Sequence, residues 1–242
     1  AMDFRRAMRK VSKEYGENDW WFKVWGPDTL PEEGIGERED WILRSDAEWH
    51  GFGKLSTNFN MLDPVKATVV TPGLDISGTF AEQGIPAALV SKYLAEHGVV
   101  VEKTGLYSFF ILFTIGITKG RWNTLLTALQ QFKDDYDRNL PVWRVLPQFA
   151  RQYPCYEEMG LRDLCQHVHA LYAKYDIARL TTGDHTNIVC CFSIDTPDRK
   201  RCDCLCSGNN CVDAFFRLGS CVRGFPMNGD FKAFRCWSSC HD

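Results

Sequence analysis

The residues best suited to chemistry are cysteines, and they are concentrated at one end of the chain. The 242 residues include 11 cysteines, of which nine lie within 183–242. The tightest group is Cys202, Cys204 and Cys206, followed by Cys211. Thiolates bind zinc, but structural zinc sites favour pairs of cysteines separated by about two to four residues. The spacing here matches that pattern poorly, so a zinc or other thiolate site is only one of two open interpretations.

The second interpretation is that the tail was never selected as part of the same protein. The last glutamate is Glu158, and helical periodicity fades after Thr182. Both changes coincide with the onset of the cysteine enrichment. We therefore favour a tail at 183–242 that is an out-of-frame translation, a read-through product or a disordered segment.

The histidines and lysines form no second group of candidate catalytic or metal-binding residues. His167 and His169 are two residues apart on a predicted helix, so their side chains point about 200° apart and cannot easily share a ligand. Lys66 lies in an apolar run and Lys103 at a turn, which is typical of structural or surface lysines. Phosphate-loop, dinucleotide-binding, nucleophile-elbow and zinc-protease motifs do not occur in the sequence. We predict no metal site and no catalytic residue in this chain.

Hydrophobic periodicity predicts the elements that would position such residues. Helices are expected over residues 3–15, 86–97, 120–137 and 156–175. β-branched or apolar runs predict strands over residues 65–71, 99–103 and 107–115. The order β-α-β-β-α predicts an α/β layer with helices on one or both faces. Residues 18–62 are loop-rich and carry five tryptophans, which need a core or a subunit interface to bury their rings.

The composition excludes several classes of protein. The chain is 45% hydrophobic and 24% charged, which is typical of a globular protein and not of a disordered one. The net charge of −3 gives no broad reason to expect nucleic-acid binding. The longest apolar stretch, 108–117, is shorter than the roughly 20 residues of a membrane helix. No signal peptide is visible. We expect a cytoplasmic protein that binds neither nucleic acid nor membrane.

A series of short motifs, in order from residue 3 to about residue 182, resembles one known family. They are EWHGF at 48–52, MLDPVK at 61–66, TPG at 71–73, GIPA at 84–87, VEKTG at 101–105, FTIG at 113–116, KGRW at 119–122 and MGLRDL at 159–164. They are similar to the C-terminal half of the bacterial pyridoxal-phosphate-dependent decarboxylases of arginine, lysine and ornithine, of the biodegradative or inducible type.

The resemblance implies a fold and a domain organisation. The fold class would be α/β (α+β), namely the small C-terminal domain of an aspartate-aminotransferase-like fold plus an irregular tail. Residues 1–62 would be a Trp-rich connecting segment with an N-terminal helix, and 63–140 the small α/β domain. Residues 141–182 would begin the C-terminal domain of the decarboxylase, and 183–242 would be the foreign Cys-rich tail.

The resemblance also implies a reaction, and it indicates that the lysine that binds the cofactor is missing from this chain. The family removes CO₂ from arginine, lysine or ornithine with pyridoxal 5′-phosphate, as a homo-oligomer. Its cofactor lysine follows a histidine in a Ser-x-His-Lys context, and no His-Lys occurs in this sequence. We therefore predict a fragment that binds no cofactor and is inactive alone. The alternative is a non-enzymatic zinc-binding or interaction module built on the tail.

The resemblance places the VEKTG turn near the substrate entrance. Glu102, Lys103 and Thr104 are therefore the predicted substrate-binding residues, because the Glu102 carboxylate would pair well with the distal cation of a basic amino acid. The alternative is a hairpin turn with a solvated glutamate. Trp49 and His50 are interpreted as packing residues. KGRW and WHGF look slightly more like the arginine-acting branch, and the choice among the three amino acids stays open.

Overall fold

A computed structural model of the chain describes residues 1–16, 19–53, 55–56 and 60–180. The Cys-rich tail, with both of its interpretations, lies outside the described residues. The chain divides into two compact units, Ala1–Asp134 and Asp135–Asp242. The domain limits that the sequence suggested after residues 62, 140 and 182 stay predictions.

Helices and short strands alternate through the first unit. Its elements are α1 (Met2–Tyr15), β1 (Lys23–Val24), β2 (Lys66–Val70), α2 (Ala87–Glu96), β3 (Lys103–Thr104), β4 (Ser108–Leu112) and most of α3 (Lys119–Asp137). The described part of the second unit is helical after α3 ends. Its elements are α4 (Val142–Val145), α5 (Pro147–Gln152), α6 (Leu161–Lys174) and α7 (Ile177–Leu180).

The four strands form one antiparallel sheet in the order β1-β2-β4-β3. The central pair is β2 with β4, in which Val69 lies opposite Phe109. Strands β2 and β3 are both antiparallel to β4, so they run parallel to each other with β4 inserted between them. A helix joins β2 to β3, and this split β-α-β arrangement confirms the predicted α/β class.

One face of the sheet forms the core of the first unit. Ala67 and Val69 of β2 are fully buried, and Phe109 of β4 is 1% exposed. Side chains alternate between the faces of a strand, so these residues share a face. Phe113 follows directly after β4, an even number of residues from Phe109. Its ring centroid is 5.3 Å from that of Phe4 of α1. Helix α1 therefore packs on the buried side of the sheet.

The second predicted strand is much shorter than the pattern indicated. Apolar residues predicted a strand over 99–103, whereas β3 contains only Lys103 and Thr104. The Val99 N–H donates to the Leu94 carbonyl 2.8 Å away, just after the left-handed Gly98 (φ 80°). Val99 thus remains bound to the end of α2, and pairing with β4 starts later.

Helix α6 begins later than its apolar stripe predicted. The expected start was residue 156, but Pro154–Tyr156 forms a 3₁₀ turn and α6 begins at Leu161. Gly160 has extended backbone angles and is the N-cap of α6. The apolar residues before Gly160 therefore belong to a separate turn.

The basic residues between the apolar positions of α1 are typical of a solvated helix face, but two of its arginines bind backbone carbonyls of other segments. Arg5 is 2% exposed, and its guanidinium donates to the carbonyls of Trp25, Pro64 and Lys66. Arg6 donates to the carbonyls of Pro31 and Gly34 at 3.1 and 3.0 Å. Carbonyls that have no strand partner are therefore satisfied by α1, which anchors the loop-rich segment after it.

The described residues contain neither a candidate membrane-spanning helix nor a cluster of metal-binding side chains. None of the helices in the described ranges is long and apolar enough to cross a membrane. No group of three or more histidine, cysteine, aspartate or glutamate side chains suited to a metal ion occurs within those same ranges.

Candidate functional site

The predicted substrate-binding residues lie where β3 meets β4 at one edge of the sheet. The Glu102 N–H donates to the Phe110 carbonyl at 2.9 Å, and the Gly105 N–H donates to the Ser108 carbonyl at 2.7 Å. Between these two hydrogen bonds, Lys103 and Thr104 pair with β4. The backbone of the predicted site is therefore fixed on both sides of the two-residue strand.

The register with β4 fixes the directions of two of the three side chains. Thr104 lies opposite the buried Phe109, whereas Lys103 lies opposite Phe110 on the other face. The Thr104 hydroxyl donates to Ser91 Oγ of α2 at 2.8 Å. Glu102 lies in a bend before β3, and its N–H bonds the carbonyl of the residue paired with Lys103, so the strand register does not fix its direction. The structure places Thr104 and Lys103 on opposite sides of the hairpin.

The charged groups of this turn are available for a ligand. Glu102 and Lys103 are both exposed, and Thr104 is half-buried. No ion pair joins either charged side chain to another residue within the described part of the chain. An exposed carboxylate on a fixed backbone can accept hydrogen bonds from an ammonium or guanidinium group. The substrate-binding role of Glu102, Lys103 and Thr104 stays a prediction.

Sequence reasoning missed Ser91, which holds Thr104 in place. Ser91 lies in the middle of α2, and nothing in its neighbourhood distinguishes it from any other small polar residue on a helix. Its proximity to Thr104 depends on how α2 packs against β3. Only the three-dimensional structure shows that contact.

His50 is a packing residue, as its context suggested. It is 1% exposed, its Nε2 lies 2.6 Å from the Arg44 carbonyl, and its Nδ1 accepts the Phe52 N–H at 3.0 Å. A carbonyl only accepts, so the proton is on Nε2 and both ring nitrogens are engaged. The Trp49 ring stands edge-on to His50 with centroids 5.4 Å apart. This histidine has no free nitrogen for a ligand or a substrate proton.

Lys66 and Lys103, the two lysines considered from the sequence, do not fit a pyridoxal-phosphate site. A cofactor lysine is activated by desolvation or a cationic neighbour. The Lys66 side chain is 51% exposed, so it is not desolvated, and its Nζ lies 3.5 Å from the Asp63 carboxylate, so its charged neighbour is an anion and not a cation. Lys103 is exposed at the edge of the sheet. Lys66 and Lys103 therefore carry no step of the cofactor chemistry.

Sequence comparison identifies the protein family. Residues 1–121, half of the chain, match the model of the major domain of the Orn/Lys/Arg decarboxylases. The chain belongs to the Orn/Lys/Arg decarboxylase family. It is 50% identical to the lysine decarboxylase LdcA of Pseudomonas aeruginosa over 173 residues, which are 71% of this chain and 23% of LdcA. The identity to the inducible lysine decarboxylase of Escherichia coli K12 is 42% over 181 residues, 74% of this chain and 24% of that enzyme.

The solved structures lead to the same family. Lysine decarboxylase A from Pseudomonas aeruginosa matches with a TM-score of 0.67 and 48% identity, over 74% of this chain and 24% of that one. This likeness confirms the aspartate-aminotransferase-like α/β fold class. The Escherichia coli arginine and ornithine decarboxylases of the family are 36% and 34% identical to this chain. The chain spans about a quarter of the length of the curated relatives that it matches.

Proposed function

We propose that this chain supplies the sheet and the substrate-entrance turn of a pyridoxal-phosphate-dependent decarboxylase that acts on lysine. The observation that carries the proposal is the higher identity to lysine decarboxylases than to the arginine and ornithine enzymes of the family. This gradient favours lysine over the arginine branch that two tetrapeptides suggested. The reaction would convert the amino acid to its amine and CO₂.

In this proposal Glu102 binds the distal ammonium of the substrate. Its carboxylate is exposed, it has no ion-pair partner among the described residues, and its backbone is fixed by the hydrogen bond to Phe110. A charge-assisted hydrogen bond to a substrate ammonium is worth more than a neutral one. Thr104, fixed by Ser91, orients the short strand that follows Glu102.

The chain alone would not turn over substrate. The lysines at 66 and 103 do not fit the cofactor, and the sequence contains no His-Lys pair. We expect that the purified chain, mixed with pyridoxal phosphate and then desalted, retains no visible absorbance from the cofactor. A stoichiometric absorbance band that survives desalting would contradict this expectation.

A chimera tests the proposed substrate. The 173-residue segment of Pseudomonas aeruginosa LdcA that aligns with this chain would be replaced by the matching residues of this chain. We expect the chimera to release CO₂ from lysine in preference to arginine or ornithine. A folded chimera that prefers arginine, or one that holds the cofactor and releases no CO₂ from lysine, would show the proposal to be wrong.

The role of Glu102 is tested in the same chimera. Glu102→Gln should raise KM for lysine by about tenfold or more while kcat changes little, because it removes one charged hydrogen bond to the substrate. Glu102→Asp keeps the charge and should recover part of the affinity. Glu82→Gln removes another exposed carboxylate of the same unit and serves as the matched control. An unchanged KM in Glu102→Gln would exclude this role.

A further inference from the structure

The loop that joins β2 to α2 has its two ends side by side. The Thr71 hydroxyl donates to the Ile85 carbonyl at 2.6 Å, and the Ile85 N–H donates to the Pro72 carbonyl at 2.8 Å. The two strands of the loop touch just above these hydrogen bonds, because a Cβ on Gly73 would lie only 2.8 Å from Gly84 Cα. A compact surface loop with adjacent ends is an Ω-loop, and such loops are frequently functional.

The tip of this loop, residues 74–80, is held together by its own hydrogen bonds. The Asp75 carboxylate accepts the Ser77 hydroxyl at 2.6 Å and the Thr79 N–H at 2.8 Å. The Asp75 N–H donates to the Thr79 carbonyl at 3.0 Å, and Leu74 forms an antiparallel bridge with Phe80. Because these bonds join residues of the tip to one another, they persist if the tip moves as one body.

Ile76 at the end of the tip lies on Gly51, which belongs to another loop. A Cβ at Gly51 would overlap Ile76 Cδ1, so the isoleucine occupies the space that a side chain would take. The loop beneath it is fixed, because the Gly51 N–H donates to the Glu48 carbonyl at 3.1 Å and the Phe52 N–H donates to the buried His50 ring. Ile76 is nevertheless 72% exposed. A contact that buries so little apolar surface is weak and can be broken at low cost.

The base of the loop lies against the turn that follows the predicted substrate-binding residues. The Tyr107 carbonyl accepts the Thr71 N–H at 2.9 Å, and a Cβ on Gly73 would overlap the Tyr107 ring. The Phe80 ring stands edge-on to Tyr107, with centroids 6.1 Å apart. Tyr107 follows Thr104 by three residues, so a movement of the tip about Gly73 takes place beside the predicted substrate entrance.

We propose that residues 74–80 form a lid that opens and closes this entrance, a role that rests on the proposed function. The contact of Ile76 with Gly51 latches the lid in the closed position. Gly73 and Gly84 are its hinges, because glycine has no Cβ and can absorb a large change of backbone angles. Substrate enters and product leaves when the latch is released.

Hydrogen exchange of the full 242-residue chain, resolved to single amides, tests the movement. The Ala81 N–H donates to the Gly73 carbonyl at 3.0 Å, across the hinge, so this hydrogen bond breaks when the lid opens. Ile76→Ala removes the latch and should raise the exchange rate at Ala81 by about threefold or more. Ile115→Ala truncates a fully exposed isoleucine of the same unit and should leave that rate unchanged.

Two other amides separate a moving lid from local unfolding. The Thr79 N–H is bonded within the tip, and the Thr71 N–H is bonded to Tyr107 below the hinges. Both should exchange in Ile76→Ala as they do in the unmodified chain. An unchanged rate at Ala81 would overturn the proposal, and so would an equal increase at Thr79, because the tip would then unfold and not move as one body.

A disulfide between lid and latch tests the gating role in the chimera with LdcA. A Cβ at Gly51 would lie 3.6 Å from Ile76 Cβ, within the range of about 3.5–4.5 Å that a disulfide spans. The chimera with Gly51→Cys/Ile76→Cys should lose about tenfold or more of its kcat for lysine on oxidation and recover it with dithiothreitol. The chimera without these two substitutions, treated in the same way, is the control.

The outcomes distinguish the lid from the proposed function. A disulfide that does not form under oxidising conditions, or a locked chimera that is as active as its reduced form, would overturn the lid. If the proposed function is wrong, the reduced chimera releases no CO₂ from lysine. The exchange rate at Ala81 in the chain itself still decides in that case whether the lid moves.

Discussion

Each of the two units depends on one polar side chain that bonds to backbone far away in sequence. In the first unit, the Arg5 guanidinium donates to the carbonyls of Trp25, Pro64 and Lys66. In the second unit, the Asn139 carboxamide oxygen accepts the backbone N–H groups of Arg162 and Asp163 at 3.0 and 3.3 Å. Arg5 satisfies carbonyls of loop and strand, whereas Asn139 caps the start of α6.

Arg5 and Asn139 differ in the free-energy cost of holding each residue in its position. Arg5 is 2% exposed, and burial, with Arg9 nearby, lowers its pKa to about 10, so it remains charged at neutral pH. A buried charge is tolerated only where hydrogen bonds replace its hydration. Asn139 is half-buried and neutral, but its backbone is left-handed with φ 49°. The first unit therefore depends on a desolvated cation, and the second on a strained backbone with a cap.

The largest effect is expected from removing the Arg5 side chain. Arg5→Leu would leave buried carbonyls without donors, at a cost of about 1–3 kcal/mol for each such group. We expect the free energy of unfolding to fall by at least about 3 kcal/mol. Urea denaturation, followed by tryptophan fluorescence, measures the loss.

A matched variant separates the charge of Arg5 from its shape. Arg5→Lys keeps the cation but cannot reach carbonyls in three directions, so it should recover only part of the lost stability. Arg6→Lys changes a more exposed arginine in the same way and should cost much less. Equal losses for Arg5→Lys and Arg6→Lys would show that burial of the guanidinium is not what makes Arg5 important.

An intermediate effect is expected at Asn139. Asn139→Gly keeps the left-handed backbone but removes the cap, and should lower stability by about 1 kcal/mol. Asn139→Ala removes the same cap and adds backbone strain of about 1 kcal/mol or more, because a Cβ is unfavourable at φ 49°. Thermal unfolding followed by circular dichroism would rank the variants. A smaller loss for alanine than for glycine would contradict this account.

Gly160 shows whether Asn139 acts through its position against α6. A Cβ at Gly160 would lie 2.1 Å from Asn139 Oδ1, although its own φ of −67° suits any residue. Gly160→Ala should therefore displace the Asn139 side chain and cost about as much as losing the cap. In the Asn139→Gly background the same substitution should cost much less, because the clashing atoms are absent. Additive losses in the double variant would exclude this coupling.

The smallest effect on stability at neutral pH is expected from ionisable groups buried in the second unit. This effect grows as the pH rises. Burial raises the pKa of the Cys165 thiol above its ordinary value of 9.0, and burial likewise raises the pKa of Tyr136. Above about pH 9 the unfolded chain loses the thiol proton while the folded chain keeps it. The free energy of unfolding should therefore be unaffected at pH 7 and fall as the pH rises above 9.

Urea titrations at several alkaline pH values measure this slope. Cys165→Ala removes one group with a raised pKa, so its stability should fall less steeply between about pH 8 and pH 10, by up to about 1.4 kcal/mol per pH unit. Cys155→Ala changes the half-buried cysteine of the same unit and is the control. An identical slope in Cys165→Ala and the unmodified chain would contradict the prediction.

The sequence predicted regular elements well and their irregular ends poorly. Helices α1 and α3 begin and end within one residue of the limits set by their apolar spacing. Strand β1 was missed because two residues, Lys23 and Val24, are too few to show an alternating pattern. Periodicity reports which side chains face a core, and a two-residue strand depends instead on the backbone of its neighbour.

The sequence predicted where the candidate site lies along the chain, but not how its side chains are oriented. The VEKTG motif placed Glu102, Lys103 and Thr104 at a turn, and the structure has them where β3 turns into β4. The register with β4 places Lys103 and Thr104 on opposite faces of the sheet. The Thr104–Ser91 contact depends on tertiary packing. Likewise, the basic residues of α1 form an amphipathic pattern that does not distinguish Arg5, with its buried guanidinium, from a solvated arginine.

The order of strands in the sheet has a consequence for how the protein folds. The hairpin β3–β4 is local, because Thr104 pairs with Phe109 across a short turn. The central pair β2–β4 is not, since its closest partners, Val70 and Ser108, are separated by the whole of α2 and β3. Closing the longer loop costs more chain entropy. We expect the hairpin to form early and β2 to join it late, so that a nascent chain gains the centre of its sheet only after β4 has been synthesised.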